Sequence, residues 1–391
     1  MDKMALVYRY LQNELEKDLF QGKTLILYGA RQTGKTTLIG QLLQNRQENI
    51  VWMNGDEADV RHLFTHLNSD RLKPYLQGKD LLVLDEAQRI PETGLAIKII
   101  HDHFPAIQLI VTGSSSFELT SKIMEPMTGR KFEYFLYPFS FNEMTQHHGL
   151  LTEKRLLEHR LIMGYYPEIV MHPENDQKRL DSLVSSYLYK DLLKLEHIRK
   201  PVLLDKIIRA LALQVGREVS YNELAQLLNS DKETVEKYID LLEKTYIVFR
   251  VPAFSRNVRN EIKRNRKIYF YDNGIRNAVL GNYLPLHART DTGELWENFL
   301  MSERRKFLNN RSIGAGMYFW RTTQQQEIDY VEERRDGRLL AFEFKWNPRK
   351  KCRLSSTFAS AYPSTPYAVI SPENIEEFFN QSIINPPVDS L

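Results

Sequence analysis

At 391 residues, with 42% hydrophobic and 26% charged side chains, the chain has material for two to four cores and is too apolar to stay disordered. A formal net charge of +3 excludes an overall basic field, so any nucleic-acid surface must come from local clustering. One cysteine, Cys352, excludes an intramolecular disulfide; with no apolar run of about 18 residues and no charged-then-apolar amino-terminal segment, the expectation is a cytoplasmic protein without a membrane span or secretory signal.

Residues 5 to 20 carry apolar positions at helical spacing and predict a helix that packs beside the adjoining α/β domain. Thr24 to Tyr28 is a short, uncharged, β-prone run. It ends in Gly29-Ala30-Arg31-Gln32-Thr33-Gly34-Lys35-Thr36, which meets the phosphate-binding pattern G-x-x-x-x-G-K-[ST] at every fixed position. Lys35 to Leu43 then reads as a helix with Thr37 in its first turn, so loop N–H groups and a helix N-terminus converge where anionic phosphates bind. In that chemistry Gly29 and Gly34 permit the tight turn, Lys35 supplies charge to the β- and γ-phosphates, and the Thr36 hydroxyl reaches Mg²⁺. ATP and Mg²⁺ are therefore the expected ligands of residues 29–37.

Ile50 to Asn54 reads as a second strand, and Asp56 to Asp59 opens a polar, helix-prone segment. Asp80 to Ala87 (DLLVLDEA) places two carboxylates after four apolar residues, as when a buried parallel strand ends at the active edge of an α/β sheet. Asp85 would hold Mg²⁺ through water and Glu86 would polarise the attacking water; a helix N-terminal charge pair is the rival reading. A helix near Glu92 to His103 precedes the strand Gln108 to Gly113. At its tip, Thr112 and Ser114 are candidates to sense the γ-phosphate, although Ser114-Ser115-Ser116 also suits a turn and helix cap.

Gly129-Arg130-Lys131 leads into a β-prone run, Phe132 to Tyr137, and the phrase Leu136-Tyr137-Pro138-Phe139-Ser140-Phe141. With the phosphate loop, Asp85-Glu86 and the phrase TGSSSFEL from Thr112, these residues resemble a widespread prokaryotic family of AAA-type ATPases, whose members usually carry a carboxy-terminal domain of unknown function. The resemblance implies ATP hydrolysis and a γ-phosphate contact by Arg130, within its own site or across a subunit boundary as an arginine finger. A trans arrangement would require a homo-oligomer, a ring or open helix, with a hexamer as one form. The plain reading of Arg130 is a surface residue at a sheet edge.

Residues 142 to 210 read as helices, with Gly164-Tyr165-Tyr166-Pro167-Glu168 in a lid that packs and couples nucleotide state to the next domain. From Ser220 to Val251, a capped helix (SYNELAQLL), a turn at Asn229-Ser230, a second helix and the strand YIVFRV follow the order of a winged helix-turn-helix. The second helix carries five acids (Asp231, Glu233, Glu236, Asp240, Glu243), three lysines (Lys232, Lys237, Lys244) and no arginine, which suits packing or a subunit contact better than base reading. Ser255 to Lys267 is the densest basic run: Arg256, Arg259, Lys263, Arg264, Arg266 and Lys267 against Glu261 alone. Those side chains either follow a phosphate backbone, with duplex or branched DNA as partner, or belong to a solvated inter-domain loop.

From Ile268, strand and helix alternate again, with strands at Ile268 to Tyr271, Met317 to Thr322, Glu327 to Val331 and Leu339 to Trp346, and an amphipathic helix at Asp291 to Phe307. On the last strand the period of two puts Glu343 and Lys345 on one face; Asp329 lies on the neighbouring strand and Glu297 on the helix. That order resembles the PD-(D/E)XK core of restriction-type endonucleases, in which the acids bind one or two Mg²⁺ and the lysine positions water. No proline precedes Asp329, a departure from the most regular form. The cluster is read either as a competent nuclease or as an ion-paired remnant that binds DNA or a partner.

The expected architecture is α/β: a P-loop AAA-type ATPase domain (1–140), a helical lid (141–215), a winged helix with basic linker (216–267) and a restriction-endonuclease-like domain (268–391). Such a chain would hydrolyse ATP while remodelling, branch-migrating or processing DNA or DNA-bound complexes. Two alternatives stay open: a nucleotide-gated signalling switch with a protein partner and an inactive nuclease-like domain, and an ATP-gated, Mg²⁺-dependent nuclease.

Overall fold

The structure, a computed structural model, describes residues 6–65, 67–113, 127–186, 200–255, 266–322, 324–350 and 352–379. The first five β-prone runs form strands β1 (Thr24–Tyr28), β2 (Ile50–Asn54), β3 (Leu81–Asp85), β4 (Gln108–Gly113) and β5 (Lys131–Phe135). They pair in the order β2-β3-β4-β1-β5, every neighbour parallel. Every residue of β1, β3 and β4 is buried, which is why these runs read as continuous apolar stretches rather than alternating ones. One face packs Leu25, Leu27, Leu81, Val83 and Ile110 against Leu11 and Leu15 of the Leu11–Asp18 helix and against Leu38, Ile39 and Leu42 of the Lys35–Leu43 helix. Truncating one of these leucines to alanine should cost roughly 2–5 kcal/mol.

Because all five strands run one way, their carboxy-terminal tips share one edge. The loop after β1, Asp85 at the end of β3 and Thr112 near the end of β4 therefore come together, with β4 lying between β3 and β1.

The chain divides into two compact units, one of Ala5–Phe139 with Lys244–Tyr246, the other containing Ser140–Glu243 and Ile247–Leu391. The second unit opens on a capping box: the Ser140 hydroxyl accepts from the Glu143 N–H at 3.2 Å, and the Glu143 carboxylate accepts from the Ser140 N–H at 2.9 Å. In the Gly164-Tyr165-Tyr166-Pro167-Glu168 phrase, the Tyr165 N–H donates to Asp272 at 2.7 Å, and a Cβ on Gly164 (φ +78°) would overlap that same carboxylate. The phrase therefore has a packing reason of its own.

Helices Pro201–Leu213, Tyr221–Leu227 and Lys232–Lys244 accompany strands β6 (Glu218–Val219), β7 (Val248–Val251) and β8 (Arg266–Phe270). The sheet order is β6-β8-β7, antiparallel. The expected strand at Ile268 to Tyr271 is thus the central strand of this small sheet. It starts two residues earlier and does not join the carboxy-terminal sheet, so a boundary between residues 267 and 268 would cut through it.

The carboxy-terminal sheet comprises β9 (Ala315–Arg321), β10 (Glu327–Arg334), β11 (Leu339–Phe344) and β12 (Tyr367–Ile370), in the order β12-β11-β10-β9. The first three are antiparallel neighbours, and β12 returns parallel to β11 after the Ser356–Ala361 helix. The long Thr292–Asn310 helix precedes β9 and is buried along most of its length. No helix among the described residues is long and apolar enough to cross a membrane.

Candidate nucleotide-binding site

Gly34 heads the Lys35–Leu43 helix with φ +92°, a left-handed conformation that glycine adopts without a Cβ penalty. Gly29 is required for a different reason. A Cβ there would overlap the Leu136 carbonyl oxygen, and the neighbouring Leu136 N–H donates to the Tyr28 carbonyl at 2.8 Å. The turn is held internally by the Thr33 hydroxyl, which donates to the Ala30 carbonyl at 2.9 Å. Lys35 is 5% exposed, and its Nζ donates to the carbonyls of Gly29 and Ala30, each at 3.0 Å. Burial pushes its pKa down to about 8, against the upward pull of Glu86 and Asp85. The ammonium is folded onto neutral carbonyls of its own loop, partners it can exchange for phosphate oxygens. Arg31 is half-buried on this loop, Gln32 is exposed with φ +59°, and Thr37 is exposed in the first helical turn.

The two expected metal-binding residues meet. Thr36 Oγ1 donates to Asp85 Oδ2 at 2.9 Å, across 49 positions of sequence. A hydroxyl and a carboxylate are hard oxygen donors of the kind Mg²⁺ takes while keeping most of its waters, so the pair fits that ion. Asp85 is buried; its other oxygen accepts from the Thr112 hydroxyl and, at 3.2 Å, from the Glu86 N–H. Glu86 sits at φ +48°, a left-handed conformation costing a non-glycine residue about 1 kcal/mol or more, of the sort that clusters at functional sites. Its carboxylate accepts from Gln88 Nε2 at 2.5 Å. Thr112 spends its hydroxyl proton on Asp85 and accepts from the Glu86 N–H at 3.1 Å. Its hydroxyl is thus engaged with the two acidic residues of the β3 tip. Ser114 lies outside the described residues.

Arg130 is at the other end of the sheet. Its carbonyl accepts from the Thr24 N–H at 3.0 Å, and Lys131 is in register with Thr24 at the start of β1. The phosphate loop follows the five residues of β1, about 16 Å further on. That span exceeds an arginine's reach, which removes the reading in which Arg130 serves its own site. Its side chain, 42% exposed, pairs with Asp102 at 3.4 Å.

The carboxy-terminal acids also converge, but each meets an ammonium. Lys345 Nζ lies 2.8 Å from Glu343 and 3.5 Å from Asp329, and the Phe344 N–H donates to Asp329 at 2.8 Å. Lys267 Nζ lies 3.0 Å from Glu297 and 2.6 Å from Glu327, and the Tyr269 hydroxyl donates to Glu297 at 2.6 Å. Burial lifts the Glu297 carboxyl to about 7, opposed by Lys267 and assisted by Asp329. Lys267 is 2% exposed, which corrects its placement among phosphate-contacting residues. Along β8 it alternates with Arg266 and shares a face with Tyr269, so the strand turns it inward. Arg266 stays half-exposed, and Arg256, Arg259, Lys263 and Arg264 lie outside the described residues. Among the described residues no three His, Cys, Asp or Glu side chains form a metal-ligand set.

One residue at the loop belongs to no motif. Arg9 is 4% exposed and donates to the carbonyls of Thr33 (2.9 Å) and Tyr137 (2.6 Å), with its guanidinium 4.9 Å from the centre of the Phe139 ring. A cation inside the apolar pattern ALVYRYL was the available signal.

Residues 21–145 match a family described as an AAA domain, while residues 154–284 and 292–388 match two domains of unknown function, DUF8612 and DUF4143. The expectation of an AAA-type P-loop domain thus holds. An uncharacterized protein of Mycobacterium tuberculosis is 26% identical over 348 residues, covering 88% of this chain and 74% of the relative. One of Haemophilus influenzae is 24% identical, covering 82% and 83%. Among solved structures, the Walker-type ATPase PABY2304 of Pyrococcus abyssi is similar at 16% identity and a TM-score of 0.49, covering 69% of this chain and 94% of that one.

Proposed function

We propose that the chain hydrolyses ATP with Mg²⁺ at the carboxy-terminal edge of its parallel sheet. The observation that carries this is the junction of Thr36 with Asp85 at 2.9 Å, Glu86 being the next residue and Lys35 on the facing loop. Lys35 and the helix N-terminus bind the β- and γ-phosphates. Thr36 and Asp85 hold Mg²⁺, whose charge offsets that of the phosphates. Glu86 orients the attacking water, and Gln88 and the left-handed backbone aim its carboxylate. Arg130 acts on a neighbouring copy, a reading supported by its position at the opposite sheet edge, and the working form is a ring or helical homo-oligomer. Lys35→Ala tests the site: nucleotide binding should fall at least a hundredfold and turnover should vanish, whereas tight ATP binding by that variant would contradict the reading.

The second unit is read as a winged helix followed by a PD-(D/E)XK-like domain. Supporting this are helix, strand, helix, helix, strand, strand over residues 201–270, and helix, three antiparallel strands, helix and parallel strand over residues 292–370. DNA or a DNA-bound complex is the proposed target; ATP turnover with and without duplex, single-stranded and branched DNA tests it, and no stimulation by any of them favours the signalling switch. Of the two readings of the acidic cluster, the non-cleaving one is favoured. Lys345 beside Glu343 and Asp329 suits either reading, but Lys267, an ammonium from outside the motif, already pairs with Glu297 and Glu327 and supplies positive charge that a catalytic metal would bring.

A further inference from the structure

We infer that Arg9 is a positioning residue of the nucleotide site, a buried cation that clamps the phosphate loop and strengthens the Gly34 N–H as a donor to polyphosphate. The inference rests on reading residues 29–37 as a triphosphate site. Its geometry is specific: Nη1 takes the Thr33 carbonyl at 2.9 Å, Nη2 takes the Tyr137 carbonyl at 2.6 Å, and a Cβ built on Gly34 would lie 3.9 Å from Nη1. The preceding residue, Leu136, bonds Tyr28 at 2.8 Å, at the start of the loop. The segment leaving β5 therefore grips the loop at both ends, directly at Tyr28 and through Arg9 at Thr33.

The Thr33 carbonyl and the Gly34 N–H belong to one planar peptide and point in opposite directions. A cationic donor on the oxygen polarises that peptide, so the N–H on the other side becomes a better donor; in a loop of this pattern such N–H groups cradle phosphates. Burying a guanidinium costs several kcal/mol before its partners are counted. A tether alone needs only donors, and a glutamine would supply two. The charge, set over the Phe139 ring, is what a polyphosphate site gains from arginine here.

The test is direct titration of the full-length protein with Mg-ADP and Mg-ATP, together with steady-state turnover and thermal unfolding, for wild type, Arg9→Gln and Arg9→Lys. Arg9→Gln, which keeps donors and loses charge, should weaken both nucleotides by about tenfold or more, in line with loss of a charge-assisted bond. Arg9→Lys, which keeps charge and loses the fork, should fall two- to fivefold below wild type by the same reasoning, roughly the worth of one weaker bond. KM should rise in step with the lost affinity while kcat stays within about threefold, since Arg9 touches no reacting atom. A folded Arg9→Gln protein that binds ADP as tightly as wild type, or one that loses kcat with KM unchanged, overturns the inference. If Arg9→Gln does not fold, Arg9→Lys decides: weaker nucleotide at unchanged kcat supports the role, and wild-type affinity rejects it. Wild-type protein that binds neither nucleotide overturns the underlying reading of the loop, and does so before any variant is compared.

Discussion

In the nucleotide site the carboxylates of Asp85 and Glu86 take hydrogen bonds from neutral groups, those of Thr36, Thr112 and Gln88, and the nearby ammonium of Lys35 is turned onto backbone carbonyls. In the carboxy-terminal cluster Glu297, Glu327, Asp329 and Glu343 each lie within an ion pair of Lys267 or Lys345. Both regions gather acids, and among the described residues only the first leaves them without a direct ion pair. A carboxylate held by hydroxyls keeps its attraction for a divalent cation, whereas one held by ammonium must lose that partner first. Convergence of acids is therefore a poor guide to metal chemistry until their counter-charges are counted.

The largest effect is expected at Arg130. Arg130→Ala should lower turnover by about a thousandfold or more, the usual worth of an arginine finger. Mixing it with Lys35→Ala protein should restore part of the activity, because some mixed interfaces then hold one complete site. Sedimentation of the ATP-bound protein as a monomer with full turnover would reject the trans arrangement.

Lys267→Met sharpens the other side. It leaves Glu297 and Glu327 without their ammonium, and unfolding stability at neutral pH should fall by about 3 kcal/mol. Urea unfolding followed by tryptophan emission reads this unit, since Trp296, Trp320 and Trp346 are three of the four tryptophans. Adding Glu297→Gln should recover part of the loss. The Glu297 carboxyl is lifted to about 7 from an ordinary value near 4.5, so its contribution is present at acidic pH and is lost as pH rises through 7. Lys267→Met should accordingly regain stability toward pH 5. Equal stability of single and double variants would show that the pair is not the reason for the burial.

A smaller effect is expected at Lys35. Its pKa of about 8 in the nucleotide-free loop must rise when phosphates surround it, so binding above pH 8 requires proton uptake. ATP affinity should be flat from pH 7 to 8 and weaken by up to about tenfold for each further unit. Titrations at pH 7.5 and 9.5 check this, and equal affinities would mean that Lys35 is not the cation the phosphates meet.

Much of the first unit is legible in the sequence because its signals are local. The loop motif, the uncharged strands and the Asp85-Glu86 tip each occupy a few consecutive residues. Arg9 shows in the sequence only as a cation inside an apolar run; its contacts are not legible, since its partners are backbone carbonyls 24 and 128 positions away. Lys267 misleads because it ends a basic run, where composition suggests solvent; only the β8 register turns it inward while Arg266 stays half-exposed. The same register takes β8 into the small sheet rather than the carboxy-terminal one. Arg130 reads correctly as lying beside a strand, but which end of the sheet it occupies depends on the parallel pairing of β5 with β1. Strand β12 and the helix before it are short and carry no strong periodicity.

In the proposed mechanism Glu86 acts on water at a site whose phosphate and metal contacts do not need it. ATP binding and ATP turnover should be measured side by side for wild type and Glu86→Gln, a change that keeps size and hydrogen bonding and removes charge. Binding should stay within a few-fold of wild type and turnover should fall by about a hundredfold or more. Turnover by Glu86→Gln at the wild-type rate would contradict that role.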